Sequence, residues 1–274
     1  MGGLHDSTNL FSPLVVICPS IGLDHQAVLG NTHAEIATEK AGVLKNGASF
    51  IYATDRTDVR DVFKQKANEE GSKTYELGKD FTAEGSSHSF DFIYKEQRLE
   101  GIALAMAGQH QVANASLAIM ASLLLQKDYP KVTPELIKDA LAHASWLGRT
   151  EFLMPNLMID GAHNNESVKV LIDLLRSEYA DKDIELLFAA IDTKPIDSML
   201  AQLESVGDLT VTSFEYPNSV KLDKYPVTYK QVSDFQTWIE EHVTANDDKL
   251  YVITGSLYFI SQVRKWILEQ ESAV

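Results

Sequence analysis

Apolar and polar positions fall into two periods along this chain, short β-branched runs and longer stretches with apolar residues three to four apart. Residues 14–17 (LVVI) are a β-branched run suited to burial on both faces, and the polar crossing SIGLDH at 20–25 follows it. From 32 to 44, Ile36, Ala37, Ala41 and Leu44 make a helical stripe. Thr32 opens it with Glu35 three residues on, a capping box, and Gly47 breaks it. Residues 49–53 (SFIYA) read as a strand, 58–70 as an amphipathic charged helix and 74–77 as another strand, an α/β alternation. The alternating stretches SFDFIY and LEGIALAM, within 81–106, predict an antiparallel meander laid over the edge of that sheet. An apolar helix follows at 112–125, and another at 133–143 with Thr133 as cap and Pro134 at its first position.

The stretch WLGRTEF at 146–152 separates this half from the next, and a domain boundary is expected there, giving 1–147 and 148–274. Beyond it an apolar run ends at Ile159, and Asp160, Gly161, Ala162 and His163 cross a tight turn into a helical stripe of Val168, Leu171, Ile172, Leu174 and Leu175. The alternation then becomes regular. Strands are expected at 185–190, 209–214 and 250–254, and helices at 196–203, 232–242 and 256–268. That order predicts an α/β fold with a doubly wound parallel sheet in the carboxyl-terminal half. In such sheets ligands sit beyond the carboxyl ends of the strands, which is where Asp160 and His163 lie. No internal repeat or Ser/Gly linker interrupts the chain.

Composition narrows the chemistry. In 274 residues, 24 Lys and Arg face 39 Asp and Glu, a formal charge of −15, and no basic run appears, which argues against non-specific nucleic-acid binding. An acidic chain that handles phosphates must do so with backbone N–H groups, a few placed cations and a divalent ion. Cys18 is the single cysteine, so no internal disulfide can form, and its neighbours Val15, Val16 and Ile17 predict a buried thiol. No apolar run reaches the ~20 residues that span a bilayer, and no secretory signal opens the chain. The opening Met1 and Gly2 suit a myristoylation signal, but Asp6 stands where Ser or Thr is needed. The expected location is the cytoplasm.

A Walker loop would be the direct signature of phosphate chemistry. The nearest string, GVLKNGAS at 42–49, has Ala48 where the lysine must be and follows a helix instead of a strand, so it cannot cradle a triphosphate in that way. His25 after Asp24 suits Mg²⁺ with oxygen ligands better than zinc, or a loop histidine bonded to backbone. Lys40, between Glu39 and the small Ala41 and Gly42, is either a functional amine or a solvated face. Asn114 offers a donor and an acceptor to a purine edge, or bonds a neighbouring loop. Arg149 can grip phosphate with its planar fork or pair with an acid. Asp160 and His163 stand open between a ligand site and a helix cap with a satisfied turn histidine.

Taken in order, DSTN, SIGLDH, EKAGVLKNG, GQHQVANASLA, LGR, IDGAHN and TGSLYFI resemble the folylpolyglutamate synthase and dihydrofolate synthase family of the Mur ligase superfamily, over nearly the whole chain. The resemblance implies an ATP-dependent amide ligase. ATP phosphorylates a carboxylate, the amine of L-glutamate attacks the acyl phosphate, and Mg²⁺ offsets the phosphate charge. By position it implies His25 as a magnesium ligand and Lys40 as a carbamate-bearing lysine. It implies Asn114 as a base contact, Arg149 as a phosphate contact, and Asp160 with His163 as ribose and phosphate contacts, His163 and Lys40 serving the chemistry. Asp6, Thr8 and Asn9 would line the pterin and substrate-acid side, and Ser256 would approach the incoming glutamate.

The same resemblance implies a Mur-type ATPase domain over 1–147 without its Walker-loop portion, then a Rossmann-like glutamate-ligase domain over 148–274. Asn165 replaces the family's usual proline after HN, and Leu147 a proline that often precedes the glycine and arginine. The expected substrates are folate or dihydropteroate and L-glutamate, with no nucleic acid or membrane, and with weak activity unless a missing amino-terminal segment is supplied. Other readings are a non-catalytic nucleotide- or folate-binding remnant, one half of a split ligase, and another Mur-type amino-acid ligase. The sequence leaves the oligomeric state open, although an exposed sheet edge would favour self-association.

Overall fold

The computed structural model describes residues 3–23, 26–244 and 247–272. The chain divides into two compact units, Met1–Ala144 and Ser145–Val274, just ahead of the boundary expected at 147.

In the first unit, β1 (Val15–Cys18), β2 (Ser49–Tyr52) and β3 (Thr74–Glu76) form a parallel sheet in the order β1-β2-β3, with Val15 opposite Ser49 and Phe50 opposite Thr74. The crossovers carry α1 (Gln26–Leu29), α2 (His33–Ala41) and α3 (Thr57–Glu69). The capping box of α2 is present. Thr32 Oγ1 accepts from the Glu35 N–H at 3.2 Å, and Glu35 Oε2 accepts from the Thr32 N–H at 3.0 Å. On α3, Val59, Phe63 and Ala67 recur every four residues and are fully buried, so one stripe faces the sheet. Phe63 meets Phe50 and Tyr52 with ring centroids 5.0 and 5.1 Å apart.

The meander, β4 (Thr82–Ser86), β5 (Ser89–Tyr94) and β6 (Gln97–Ile102), is antiparallel as expected and forms a sheet separate from the first. A single bridge, Leu77 to Phe81, links them among the described residues. The reason is α4 (Gln109–Leu125): its buried Val112, Leu117, Ile119 and Met120 share one core with Phe90, Phe92 and Ile102 of the meander and with Ile51 and Tyr75 of the first sheet. A helix apolar on more than one side needs two partners. α5 (Pro134–His143) starts as expected, with Thr133 Oγ1 accepting from the Leu136 N–H.

The second unit holds a six-stranded sheet. Its strands are β7 (Glu151–Met154), β8 (Leu157–Ile159), β9 (Asp183–Phe188), β10 (Asp208–Val211), β11 (Lys230–Gln231) and β12 (Lys249–Thr254), in the order β11-β10-β9-β12-β8-β7. All pairs are parallel except β7 with β8, a hairpin absent from the sequence-based expectation. α6 (Asn165–Glu178), α7 (Ile196–Leu203), α8 (Phe235–His242) and α9 (Leu257–Ser272) cover the sheet. Leu157, Ile159, Leu187, Tyr251 and Ile253 turn one way into a core with Trp238 of α8 and with Phe259, Ile260 and Val263 of α9. Their neighbours Met158, Leu186, Phe188 and Val252, also fully buried, turn the other way, as a period of two requires. The expected doubly wound sheet is the observed one. Because the chain passes from β8 over β12 to β9 and returns later, the carboxyl ends of β8, β12 and β9 lie side by side.

Candidate functional site

Those three strand ends are stitched together by backbone. The Asp160 N–H donates to Ile253 O at 3.0 Å, Gly255 N–H to Ala162 O at 3.0 Å, and Ala189 N–H to Thr254 O at 3.2 Å. Around this seam the fold gathers four of the expected residues, Arg149, Asp160, His163 and Ser256.

Asp160 is 7% exposed and both its oxygens are engaged: Oδ2 accepts from the Thr150 N–H and Oδ1 from the Ala162 N–H, each at 2.9 Å. Burial pushes its carboxyl above the ordinary range, opposed by those two N–H groups and by the charges of Arg149 and His163. It does not cap α6, which corrects one of the two sequence-based options. The cap is Asn164, whose Oδ1 accepts from the Ser167 N–H at 2.8 Å while Ser167 Oγ accepts from the Asn164 and His163 N–H groups. His163 Nδ1 lies 2.8 Å from Gly161 O. A carbonyl only accepts, so Nδ1 carries the proton, and in the neutral ring Nε2 carries the lone pair. Ser256 is buried and caps α9, its Oγ accepting from the Tyr258 N–H at 3.2 Å.

Arg149 sits on a turn that sequence reasoning passed over. Gly148 has φ +70°, and a side chain there would start 2.6 Å from Ile260. Thr150, a β-branched residue, has φ +44°. The Gly148 N–H donates to Glu151 Oε2 at 2.7 Å, Arg264 Nε donates to Glu151 Oε1 at 2.8 Å, and the Gly161 N–H donates to Gly148 O at 2.8 Å. Glu151, Thr150, Arg264 and Gly255 are the site's unforeseen members. The signal for Glu151 was a lone acid two residues after Arg149. A groove of about 480 Å³ runs beside the turn, between Leu147, Gly148, Leu257, Ile260 and Arg264, but neither Asp160 nor His163 lines it. Ser261, Lys265 and Glu269 also line it, so this groove of mixed character is distinct from the strand ends that carry Asp160 and His163.

In the first unit the DSTN and EKAG strings come together. Asn9 and Ser7 lie on a 3-10 helix, Ser7–Leu10, and the segment before it docks on the last turn of α2: Leu4 N–H donates to Glu39 O at 2.9 Å, and Asn9 Nδ2 to Leu4 O at 2.9 Å. Lys45 Nζ donates to Asn9 O. This approach explains Gly42, where a Cβ would lie 2.8 Å from that of Leu4. Asp6 is on the same segment; Thr8 is in the 3-10 helix, and its side chain lies outside the described residues. Lys40 is half-buried on α2. Asn114, on the first turns of α4, donates through Nδ2 to Gln111 Oε1 at 3.2 Å, a bond within its own helix and not to a neighbouring loop. His25, the expected magnesium ligand, lies with Asp24 outside the described residues. Among the described residues no three His, Cys, Asp or Glu side chains form a divalent-ion site.

Cys18, 8% exposed, ends β1. Burial pushes its thiol up to about 11, with the Lys40 charge opposing. The folded state therefore holds this proton more tightly than the unfolded one. Stability of the first unit is expected to be intact below about pH 8.5 and to fall as pH rises from there towards about 11. Urea titrations at pH 8 and pH 10.5, compared with Cys18→Ser, check this: the variant should lose the pH-dependent increment.

No described helix is long and apolar enough to cross a membrane. No family model matches the chain. A dihydrofolate synthase/folylpolyglutamate synthase of Bacillus subtilis is 32% identical over 283 residues, covering 97% of this chain and 65% of that protein. A folylpolyglutamate synthase of Lacticaseibacillus casei is 29% identical over 287 residues, covering 99% of this chain and 66% of its own length. Among solved structures, an FPGS complex with AMPPCP and folate superposes with a TM-score of 0.82 at 26% identity, over 98% of this chain and 64% of that one. The chain thus spans about two thirds of the length of these relatives.

Proposed function

The chain belongs to the folylpolyglutamate synthase and dihydrofolate synthase family, and from that premise we propose that its residues serve an ATP-dependent amide ligase adding L-glutamate to a folate or to dihydropteroate. The supporting observation is the gathering of Arg149, Asp160, His163 and Ser256 at adjoining strand ends of a doubly wound sheet. Relatives are folate-glutamate synthases, and a neighbour of this fold binds AMPPCP and folate. ATP supplies the phosphoryl group that turns a substrate carboxylate into an acyl phosphate, from which the glutamate amine displaces phosphate as the amide forms.

In this reading residues 1–147 belong to the ATPase domain and residues 148–274 to the glutamate-side domain. Arg149 supplies fixed positive charge for phosphate oxygens, which an acidic protein of net charge −15 needs locally. His163 Nε2 accepts a ribose hydroxyl or the proton that the glutamate ammonium gives up. Ser256 donates its hydroxyl towards the glutamate side. Lys40 is the lysine that would carry a carbamate near the metal, Asp6, Thr8 and Asn9 line the pterin and substrate-acid side, and Asn114 contacts the base. His25 is the residue that would hold Mg²⁺ on this reading, and no step above depends on it.

The test is ATP- and Mg²⁺-dependent incorporation of labelled glutamate into tetrahydrofolate or dihydropteroate, with the purified chain alone and with a separately supplied Walker-loop segment. Incorporation in either arm is the expected result. Nucleotide binding without incorporation in both arms would overturn the ligase reading in favour of a binding remnant, and turnover of a muramyl acid instead of a folate would overturn the substrate assignment.

A further inference from the structure

We infer that Glu151, held by Arg264, is a positioning residue that aims Arg149 at its anionic ligand. The inference rests on the phosphate reading of Arg149 given above. Its geometric basis is independent of that reading. Arg149 is flanked by two left-handed residues, Gly148 at φ +70° and Thr150 at φ +44°. For a β-branched residue such a backbone is strained and persists only where its surroundings over-determine it.

Here they do. On one side of Arg149 the Gly148 N–H is fixed by Glu151 Oε2 and the Gly148 carbonyl by the Gly161 N–H; on the other, the Thr150 N–H is fixed by Asp160 Oδ2. Glu151 is anchored in turn by Arg264 of α9, with side chains 18% and 30% exposed respectively. Two carboxylates and one amide thus hold the main chain on both sides of a single cation. A turn with no ligand to meet could keep the same φ at little cost with a Gly or Asn at 150. The retained strain fixes the direction in which the guanidinium leaves the backbone, and a bidentate fork loses much of its value for phosphate when that direction wanders.

The experiment measures AMPPCP binding with Mg²⁺ by calorimetry on the full chain carrying Arg149→Ala, Glu151→Ala, Glu151→Gln or the Arg149→Ala/Glu151→Ala pair, each checked for folding by tryptophan fluorescence. Arg149→Ala and Glu151→Ala are each expected to weaken binding about tenfold. The pair should be no weaker than Arg149→Ala alone, because Glu151 acts only through Arg149. Glu151→Gln, which keeps an oxygen for the Gly148 N–H, should restore binding to within about threefold of the parent. Amide exchange at Gly148 and Thr150 should quicken in Glu151→Ala and not in Glu151→Gln. Loss at Arg149→Ala without loss at Glu151→Ala, additive losses in the pair, or unchanged exchange would overturn the inference alone. An Arg149→Ala chain that binds AMPPCP as well as the parent, or a parent that does not bind it, would overturn the phosphate reading and the inference with it.

Discussion

Gly255→Ala is expected to cost the second unit about 4 kcal/mol of stability, from backbone strain and steric overlap in comparable parts. Gly255 has φ +113°, a region closed to residues with a Cβ. The added carbon would also start 2.5 Å from Ala189 O and 2.7 Å from the Phe188 ring. Neither neighbour can yield. Ala189 is tied by its N–H to Thr254 O, Ala190 donates to the buried hydroxyl of Tyr225 at 3.1 Å, and Phe188 is fully buried. Moving Gly255 instead would break its bond to Ala162 O and part the strand ends of β8 and β12 that hold His163 and Ser256. All three tryptophans, Trp146, Trp238 and Trp266, lie in this unit, so fluorescence in urea reports on it alone. The midpoint should fall sharply at constant m-value, while alkylation of Cys18 in the other unit keeps its parental urea dependence. A shift worth less than about 1 kcal/mol would show that the seam tolerates a side chain and that the argument from close approach is wrong.

That seam also separates what the sequence discloses from what it hides. The doubly wound sheet was legible because each strand and helix carries its own period, and the turn after Ile159 announced a strand end with polar residues. Thr32 with Glu35 and Thr133 with Pro134 were legible because a cap is chosen within four residues. The duties of Asp160 were not. Its partner Thr150 is ten residues away, across a hairpin whose first strand, β7, is four residues long and only partly buried and so carries no clear alternation. β11 escaped for the same reason, being two exposed residues paired with β10. The meander's strands were legible but their cover was not, because strand pattern fixes which face is buried and not which element covers it. Here the cover is α4, whose apolar residues face several sides and so do not single out one partner by their period. Ser256 looked like a substrate contact by position, and its helix-capping bond became visible only once α9 was seen to begin at Leu257.

Arg60→Ala is expected to cost the first unit about 3 kcal/mol, towards the low end for breaking a buried ion pair because the Arg60 side chain is 25% exposed and water can replace part of it. Its partner Glu76, at the end of β3, is 3% exposed and cannot be rescued in the same way. Without Arg60 the carboxylate keeps, among the described residues, the Tyr52 hydroxyl at 3.3 Å as its donor, and Asp80, whose Oδ2 takes the Glu76 N–H at 2.8 Å, adds a second negative charge nearby. The same surroundings already push the Tyr52 hydroxyl upward, chiefly by burial and then by the Glu76 carboxylate. Arg60 further donates to Thr54 O at 3.0 Å, so its loss loosens the exit of β2 as well. The cost is electrostatic at root, and a neutral partner should therefore reduce it. Arg60→Ala with Glu76→Gln is expected to be more stable than Arg60→Ala alone, a coupling of about 1.5 kcal/mol or more in a double-mutant cycle. The urea dependence of Cys18 alkylation reads this unit, since the thiol is buried on β1 and is the chain's single cysteine. Tryptophan fluorescence should keep its parental midpoint in every variant. Strictly additive costs, or an Arg60→Ala loss below about 1 kcal/mol, would mean that solvent already carries the Glu76 charge and that the pair contributes no more than a surface bridge.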